Sequence, residues 1–375
     1  MKKILYIVSS LSATGPTNQL YQLILHLNKT KFSVCILTLS PEQHDTCRSD
    51  FEKAGAEVYT LGLSRIEGVL TGRRKVKMFI CEVKPDLIHT QGIRADLISS
   101  SLDVKMPRIS TIHNFPQLDY VMTYGRLKGK FMSWLQGRAV RKLSHCIGVS
   151  KAVSKNMSLY YGVNIITPIL NGVDNDVFFP LEDEGGKKEK KKRELQLPEK
   201  SRIWISVGHL NDRKKPQDLA RAFASLFTDS KDDFLIFLGG GDLKGILEEE
   251  FKGNNNIIFL GMVNNIVDYL QVGDFFCSSS SAEGLPMSAI EAMACGLPVL
   301  LSDIEPHQEI FSLNDNVGIS YPLGEHNALV LGFRNMIKKN RKSMTLSCLK
   351  VTSELLSAKV MAEQYQSKYL EILKK

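Results

Sequence analysis

Residues 274–303, DFFCSSSSAEGLPMSAIEAMACGLPVLLSD, contain the pattern that decides the fold of this chain. The apolar run at 275–277 ends in a series of serines, and Gly284 and Pro286 then indicate a turn into a helix. LPVLLSD follows as a second apolar run of strand length. A strand, a helix and a second strand within about 30 residues are typical of a βαβ unit in a parallel sheet.

Two glutamates accompany the predicted helix, Glu283 before its start and Glu291 within it. A helix N-terminus presents unpaired amides and roughly half a positive charge, so it can bind a diphosphate. With Glu291 about two turns in, helical rise would separate the carboxylates by roughly 10 Å, comparable with the distance from sugar to ribose in a nucleotide sugar. Each carboxylate could accept hydrogen bonds from the two hydroxyl groups of one vicinal diol. Two surface glutamates would show the same spacing, so the motif alone leaves both interpretations open.

The rest of the chain extends this α/β pattern over two domains. Its 375 residues exceed the roughly 250–300 at which one hydrophobic core stops growing. Apolar runs alternate with helical patterns in the first half: KKILYIVSS, FSVCILTLS, AEVYTLGL, DLIHTQG, PRISTIHN and HCIGVSK. From about Asn171 the alternation restarts, with RIWISVGHL, DFLIFLGGGD, NIIFLG, DFFCSSS and LPVLLSD. We predict two doubly wound parallel sheets facing each other across one cleft, with ligands bound where the strands end.

Two segments outside the strands have distinctive compositions. GGKKEKKKREL at 185–195 is typical of a solvated linker or loop between the two strand sets. The C-terminal SAKVMAEQYQSKYLEILKK predicts an amphipathic helix whose apolar stripe contains Met361, Tyr365, Tyr369 and Leu373. Core packing explains that stripe without a binding site.

The net charge of +8 is unevenly distributed. Residues 1–175 contain 23 Lys and Arg against 12 Asp and Glu, a balance of +11, whereas residues 176–375 contain 25 against 28, a balance of −3. Such an excess in one half indicates an anionic partner (phosphate, nucleic acid or anionic lipid) or serves only solubility.

RLKGKFMSWLQGRAVRKL at 126–143 contains six of these basic residues. Phe131, Trp134 and Leu135 are spaced so that they share one face of a helix. An apolar face beside a basic flank suits a helix lying on anionic lipid, where each basic residue contributes about 1 kcal/mol. The alternative is a domain helix whose aromatic residues belong to the core. We predict contact with a membrane surface here.

Composition argues against several other classes of protein. The apolar run from Ile4 to Val8 is shorter than the ~7–15 residues of a secretory signal core, and no run approaches the ~20 needed to cross a bilayer. The seven cysteines are scattered and odd in number, which favours reduced thiols in a cytoplasmic protein and argues against a zinc site. We therefore expect a soluble or peripheral protein, located in the cytoplasm or at the inner face of the cytoplasmic membrane.

The stretch E-GLPMSAI-E, followed by AMACGLPVLLSD and PHQEI, resembles the E-x7-E region of the large retaining glycosyltransferase family numbered four, which has the GT-B fold. The likeness runs along nearly the whole chain. Its further landmarks are DLIHTQGIRAD, STIHN, VSKAVSKNM, ILNGVDNDVFFP, SVGHLNDRKKPQDLARAF, FLGGGD and FLGMVNNIVDYLQVGD. The resemblance implies an acceptor-binding domain at 1–168, a nucleotide-sugar-binding domain at 169–355, and a C-terminal helix at 356–375 that crosses back to the first domain.

The resemblance assigns donor-site roles to residues in the second domain. Glu291 would bind the ribose hydroxyls and Glu283 the transferred sugar, while the backbone of Gly284 and Leu285 would approach the diphosphate. Lys214 matches the family lysine that neutralises this diphosphate. Such a cation would stabilise the leaving group as its charge develops, and losing the contact would raise the barrier by about 3–4 kcal/mol.

The neighbours of Lys214 depart from the family pattern. The family commonly has arginine where this chain has His209, and a neutral imidazole lacks the fixed fork of a guanidinium. Either Arg213 substitutes for that arginine or phosphate binding depends more on Lys214. Lys215 and Arg213 could equally be surface charges.

In the first domain, Gly15 matches the glycine-rich loop that lets this domain approach the donor phosphate. The usual second glycine is Pro16 here, which stiffens the loop and removes an amide. His113 resembles the family histidine near the reacting sugar, and His89 is a weaker candidate for the wall of the cleft.

Two other motifs resemble a metal site and a dinucleotide site, but neither is expected to bind such a ligand. Asp174 and Asp176 form a D-x-D pattern, but it lies within the family's NGVD turn, so no metal is expected. FLGGGD lacks the full G-x-G-x-x-G and the later ribose acid of a dinucleotide fingerprint. We expect a metal-independent enzyme without a cofactor, because the nucleotide sugar is its substrate.

The sequence thus predicts a retaining transferase that moves a hexose or N-acetylhexosamine, from a UDP-sugar by preference, to a lipid-linked or saccharide acceptor of a surface polysaccharide such as capsule or lipopolysaccharide. Two alternatives within enzymes are a GDP-mannose-dependent transferase and a hydrolysing sugar-nucleotide epimerase. A non-catalytic binding scaffold is a third, suggested by His209 and Pro16. A nucleic-acid-binding protein is disfavoured, because it would leave Glu283 and Glu291 unexplained.

Overall fold

A computed structural model describes residues 1–42, 46–182, 186–228 and 230–374, which form two compact units. Unit 1 comprises Met1–Gly172 with the C-terminal segment from Ala358, and unit 2 comprises Val173–Ser357. The predicted boundaries, after residues 168 and 355, lie slightly before these because Ile169 is buried in the core of unit 1. Residues 356 and 357 belong to unit 2, since the amide of Val173 donates to the carbonyl of Leu356.

Unit 1 is built on a seven-stranded sheet in which every pair of neighbours is parallel. Its strands are β1 Lys2–Val8, β2 Phe32–Thr38, β3 Ala56–Thr60, β4 Leu87–Gln91, β5 Arg108–Ile112, β6 His145–Gly148 and β7 Ile166–Pro168, in the order β3-β2-β1-β4-β5-β6-β7. The helices between them are α1 Gly15–Leu25, α2 Arg48–Lys53, α3 Arg65–Leu70, α4 Gly72–Val83, α5 Ile93–Ser101, α6 Pro116–Tyr124, α7 Arg126–Val140 and α8 Lys151–Tyr161. The six predicted strands correspond to β1–β6, whose buried apolar residues form the core.

Unit 2 has a six-stranded parallel sheet of the same type, in the order β10-β9-β8-β11-β12-β13. Its strands are β8 Arg202–Val207, β9 Asp233–Leu238, β10 Ile257–Gly261, β11 Phe275–Ser278, β12 Val299–Ser302 and β13 Gly318–Tyr321. Its helices are α9 Lys187–Glu194, α10 Pro216–Phe227, α11 Lys244–Glu250, α12 Ile266–Val272, α13 Met287–Ala294, α14 Glu305–Leu313, α15 His326–Lys338 and α16 Arg341–Glu354. Both units are Rossmann-like, as the alternation of apolar runs and helical patterns predicts.

The basic segment predicted as a solvated linker is instead helix α9, packed within unit 2. Lys188 lies 3.1 Å from Asp274, and Lys191 lies 2.6 Å from Asp268. The ammonium of Lys192 is buried and donates to two backbone carbonyls. The prediction was wrong because the acidic partners of Lys188 and Lys191 lie far away in the sequence, where a local charge pattern does not reveal them.

The C-terminal helix α17, Ala358–Leu373, completes the core of unit 1, as predicted. The hydroxyl of Tyr369 hydrogen-bonds to the Tyr6 hydroxyl at 2.9 Å and to His89 Nδ1 at 2.8 Å. His89 Nε2 bonds to the Thr111 hydroxyl, which also contacts the hydroxyl of Tyr365. Both nitrogens of His89 are therefore used inside the core, and burial lowers its pKa to about 3. His89 is fully buried, so the prediction that it lines a binding site was wrong.

All seven cysteines are free thiols, and five of them are buried. Across the described ranges, no helix is long and apolar enough to span a membrane.

Candidate functional site

In unit 2, two loops at the carboxyl ends of neighbouring strands are tied together. The β8–α10 loop contains Arg213, Lys214 and Lys215, and the β11–α13 loop begins with the serine run. Ser281 donates to the carbonyl of Arg213 through both its amide and its hydroxyl, at 2.8 and 2.9 Å. The hydroxyl of Ser279 donates to the carbonyls of Lys214 and Lys215 at 3.0 and 2.6 Å. The serines thus fix the backbone from which the basic side chains project.

Glu283 is the centre of a charged cluster between these loops. Its Oε1 lies 2.6 Å from Lys214 Nζ and accepts from the hydroxyl of Ser280 at 2.7 Å. Its Oε2 accepts from an Arg213 guanidinium nitrogen at 2.9 Å, and the same nitrogen donates to the carbonyl of Ala282. The structure therefore brings Arg213, Lys214 and Glu283 together, three residues that the sequence singles out.

Glu283 remains ionised in this cluster. Its side chain is only 9% exposed, and this burial by itself raises the pKa of the carboxyl group. The charges of Lys214 and Arg213 outweigh the burial and hold the pKa at about 2. Glu283 can therefore accept hydrogen bonds from hydroxyl groups at any physiological pH.

Glu291 lies closer to the helix start than its sequence position suggests. Helix α13 begins at Met287, so Glu291 is about one turn in, and the predicted two turns were wrong. No side chain caps the N-terminus of this helix. Burial raises the pKa of Glu291 to about 7, with partial compensation by Lys214. Among the described residues, no hydrogen bond or ion pair to its carboxylate is found.

The other predicted donor-site residues surround this cluster with differing exposure. Gly284 is half-buried and Leu285 is buried, and both lie between Glu283 and the start of α13. Pro286 occupies the N-cap of the helix. The side chain of His209 is exposed in the β8–α10 loop, and within the described part of the chain it has no hydrogen-bond partner.

The glycine run of FLGGGD has a packing role. Gly239 has a φ of +143°, and a Cβ there would lie 2.1 Å from the carbonyl oxygen of Gly208. Gly241 has a φ of +150°, and a Cβ there would lie 2.4 Å from the carbonyl oxygen of Leu210. The run lets the loop after β9 pack against the loop after β8. Gly208 itself has a φ of +145°, and the aliphatic end of Lys214 crosses over it.

One buried residue near the cluster was not foreseen as a site residue. His307, in α14, contacts the hydroxyl and the carbonyl of Ser302 through Nδ1, at 3.0 and 2.9 Å. Ser302 in turn donates to the carbonyl of Ser280. Burial lowers the pKa of His307 to about 4, although the charge of Glu283 opposes this. His307 therefore supports the serine run as a neutral ring. Its position in the segment PHQEI was the only sequence signal that pointed to this residue.

Unit 1 has a pocket of 240 Å³ at the carboxyl ends of β1, β4 and β5. His113 lines it, and its Nε2 donates to Gln91 Oε1 at 3.1 Å. Burial lowers the pKa of His113 to about 4, so the ring is neutral near pH 7. Tyr120 and Gln136 also line the pocket and share a hydrogen bond of 2.6 Å. The buried carboxylate of Asp96 accepts from Gln136 at 2.9 Å and fixes its orientation.

Gly15 lies at the exposed start of α1, beside this pocket. An added Cβ would meet nothing within 4 Å, so packing within unit 1 does not require glycine there. Pro16 is in the first helical turn, where its missing amide leaves no helical hydrogen bond unmade. Thr14 caps the helix by accepting from the amide of Thr17.

The D-x-D pattern forms a turn. The Oδ1 of Asp174 accepts from the amide of Asp176 at 2.9 Å. Within the described ranges, no group of three or more His, Cys, Asp or Glu side chains is placed to hold a metal ion.

Helix α7 presents aromatic residues to the solvent. Phe131 is 59% exposed and Trp134 50% exposed, with their rings stacked 6.0 Å apart. Leu127 is exposed on the same helix and Leu135 is half-buried. The alternative in which these aromatic residues belong to the core is therefore wrong. The buried face of α7 consists of small and polar residues instead.

Two family models together match most of the chain. "Glycosyltransferase Family 4" matches residues 13–177, and "Glycosyl transferases group 1" matches residues 187–347.

The relatives of known description that match this chain are also glycosyltransferases. An Escherichia coli UDP-Gal:α-D-GlcNAc-diphosphoundecaprenol α-1,3-galactosyltransferase is 26% identical over 230 residues, which cover 59% of this chain and 58% of the relative. The match thus spans under two thirds of that relative's length. The E. coli O-antigen biosynthesis glycosyltransferase WclY is 22% identical over 380 residues, covering 98% of both chains.

Solved structures show the same fold over the full length. The sucrose-phosphate synthase of Thermosynechococcus elongatus superposes with a TM-score of 0.82 at 19% identity, covering 100% of both chains. Anabaena HepE, solved in complex with UDP, has a TM-score of 0.78 at 18% identity, covering 99% of this chain and 100% of HepE.

Proposed function

The chain belongs to the family 4 glycosyltransferases, which have the GT-B fold, and on that premise we propose that it is a retaining hexosyltransferase of surface-polysaccharide synthesis. It moves a hexose or N-acetylhexosamine from a UDP-sugar to a lipid-linked saccharide. The donor binds in unit 2, at the start of α13, and the pocket of unit 1 receives the acceptor. The reaction needs neither a metal ion nor a cofactor.

The observation that carries this proposal is the cluster around Glu283. An ionised carboxylate beside Lys214 and Arg213, next to a helix start that no side chain caps, suits the sugar hydroxyls and the diphosphate of a nucleotide sugar. The diphosphate interacts with Lys214 and the helix amides. Glu283 then accepts hydrogen bonds from sugar hydroxyls, and Glu291, whose carboxylate has no partner among the described residues, accepts from the ribose.

Uridine is the favoured base. The name of the E. coli galactosyltransferase specifies UDP-Gal, and HepE was solved with UDP. The test is thermal-shift binding of UDP, GDP, ADP and TDP without metal, with Glu291→Ala as the control. Stabilisation by UDP that the variant loses is the expected result.

The other outcomes of this test separate the alternatives. Stabilisation by GDP alone would replace the UDP-sugar with a GDP-sugar such as GDP-mannose. No stabilisation by any nucleotide would contradict the proposal and favour a non-catalytic scaffold.

We propose that transfer proceeds at the front face of the sugar. The acceptor hydroxyl attacks the anomeric carbon on the side from which the diphosphate departs, and the departing phosphate oxygen takes the hydroxyl proton. Lys214 stabilises the charge that develops on that oxygen, so catalysis rests on positioning and electrostatics. NMR of the product should show the donor's anomeric configuration, whereas an inverted product or a glycosyl-enzyme found by mass spectrometry would contradict this route.

We also propose that unit 1 contacts a membrane surface, because a lipid-linked acceptor is held there. Phe131 and Trp134 insert at the interface of the inner leaflet, and the surrounding basic residues face anionic headgroups. His113, in the acceptor pocket, lies near the reacting sugar as the family resemblance implies.

The membrane contact is tested by co-sedimentation with anionic vesicles at low salt. Phe131→Ser with Trp134→Ser should weaken binding by roughly tenfold or more, because apolar burial of each ring is lost. The control is Leu346→Ser, an equally exposed apolar residue in unit 2. Failure of the native protein to bind even at low salt would refute this contact.

A further inference from the structure

The positive charge of unit 1 is concentrated in one segment. Residues 120–173 contain eight Lys and Arg and no Asp or Glu. This segment thus supplies most of the +11 balance of residues 1–175. No acidic residue within this run therefore offsets its positive charge.

Part of this charge converges on a pocket of 440 Å³ between α7 and α8, apart from the acceptor pocket. Its lining includes Lys130, Arg138, Arg141, Trp134, Tyr160 and Tyr161. The floor is well packed, because the hydroxyls of Ser133 and Tyr161 are 2.5 Å apart and Tyr161 donates to Gln117. A Cβ at Gly137 would lie 2.2 Å from the Tyr161 ring, so the two helices are in close contact there.

Within the described part of the chain, the three cations of this pocket have no carboxylate partner. Over the described ranges, no ion pair involves Lys130, Arg138 or Arg141, and all three residues are exposed. The guanidinium of Arg138 stacks on the Trp134 ring, 4.9 Å from its centroid. Two guanidinium groups and an ammonium around one concavity suit the oxygens of a phosphate or diphosphate.

We propose that this pocket binds the diphosphate that joins the acceptor saccharide to its polyprenyl chain, an inference that rests on the proposed function. The exposed Phe131 and Trp134 on the same helix provide the apolar contact that a lipid chain requires. Helix α7 also connects the pocket to the acceptor pocket, since Gln136 lines one and Gly137 the other. A single acceptor can therefore be held by its phosphates at α7 and α8 while its saccharide reaches the strand ends.

The test measures binding of farnesyl diphosphate, carried in neutral phosphatidylcholine vesicles at about 0.15 M salt, where charges farther than ~8 Å apart are largely screened. Trp134 fluorescence reports the binding, because the only other tryptophan, Trp204, is fully buried. The pocket variant is Arg138→Gln with Arg141→Gln. The matched control is Lys128→Gln with Lys142→Gln, which removes the same charge from exposed positions outside the pocket lining.

The pocket variant should lose roughly tenfold or more in affinity for each arginine, and the control should remain within about threefold of the native protein. Inorganic pyrophosphate should compete for the native site. Equal losses in both double variants, or no loss in either, would overturn the proposal. So would equal binding of the native protein to phosphatidylglycerol vesicles of matched charge, since ordinary headgroups would then suffice.

A UDP thermal shift in all the variants separates this inference from the proposed function. The donor cluster lies in unit 2, so its UDP response should be unchanged by these substitutions in unit 1. A native protein that shows no UDP response would refute the donor site. A native protein that responds to UDP but does not bind the diphosphate lipid would refute only this pocket.

Discussion

At the scale of single residues, the donor site depends on how three charges share one small volume. Glu283 stays ionised because Lys214 and Arg213 outweigh its burial, whereas Glu291, one turn into α13, has a raised pKa. A nucleotide diphosphate entering this volume adds negative charge beside Lys214. The same ammonium that now pairs with Glu283 would then be shared with a phosphate oxygen.

Replacing Lys214 should impair catalysis more than stability. We expect Lys214→Gln to lower kcat by about 100- to 1000-fold, because the leaving diphosphate loses a preplaced cation. The rate is measured as UDP release from the donor that nucleotide binding identifies. Lys215→Gln is the control, since Lys215 is paired with Asp218 rather than with Glu283. Equal effects of the two substitutions would contradict the role of Lys214.

Glu291 should make the stability of the free protein depend on pH. Its pKa rises from the ordinary 4.5 to about 7 on folding. Between pH 4.5 and pH 7 the carboxyl group is therefore more protonated in the native state than in the unfolded state. Its contribution to stability is therefore complete below pH 4.5 and is lost as the pH rises through 7. Glu291→Gln should raise the Tm of the free protein at pH 8 relative to the native chain while abolishing stabilisation by UDP. Glu194→Gln, at an exposed site, should do neither.

At the scale of elements, the donor site is a contact between three loops that follow β8, β9 and β11. The serine run fixes the carbonyls of residues 213–215, and the glycines at 239 and 241 let the loop after β9 pack closely. Lys214 crosses Gly208 on its way to Glu283. The precision of the cluster therefore depends on backbone packing as much as on the charged side chains.

A methyl group at Gly208 should displace Lys214. An added Cβ would lie 3.0 Å from Lys214 Cε and 3.3 Å from Nζ, at a φ of +145° that disfavours any side chain. Gly208→Ala should lower UDP affinity and turnover by at least about tenfold and cost roughly 1–3 kcal/mol of stability. Gly245→Ala is the control, because its Cβ meets nothing and it lies within α11. Native-like turnover in Gly208→Ala would show that the position of Lys214 is not critical.

At the scale of the whole molecule, unit 1 depends on the far end of the chain. Helix α17 places Tyr365 and Tyr369 against the sheet through hydrogen bonds to the core. We expect Tyr369→Phe to lower the free energy of unfolding by about 1–3 kcal/mol, because it leaves His89 Nδ1 buried without a partner. Denaturant unfolding measures this, and Tyr160→Phe at an exposed site should have little effect. Equal losses would mean that the network is not stabilising.

Much of this architecture could be predicted because buried parallel strands are continuous apolar runs. The strands that escaped prediction, β7 and β13, are short edge strands with half-buried residues. Helix α9 escaped because its lysines have partners in distant segments. The pairing of Lys214 with Glu283 spans 69 positions, so only the family resemblance suggested it, and the support from Ser279, Ser281 and His307 required coordinates.

The most direct test of the donor site is a crystal structure of the chain with UDP. We expect the ribose hydroxyls to bind the carboxylate of Glu291, and the diphosphate to bind Lys214 and the first amides of α13. A nucleotide bound elsewhere, with Glu291 untouched and Lys214 still paired only with Glu283, would contradict this expectation.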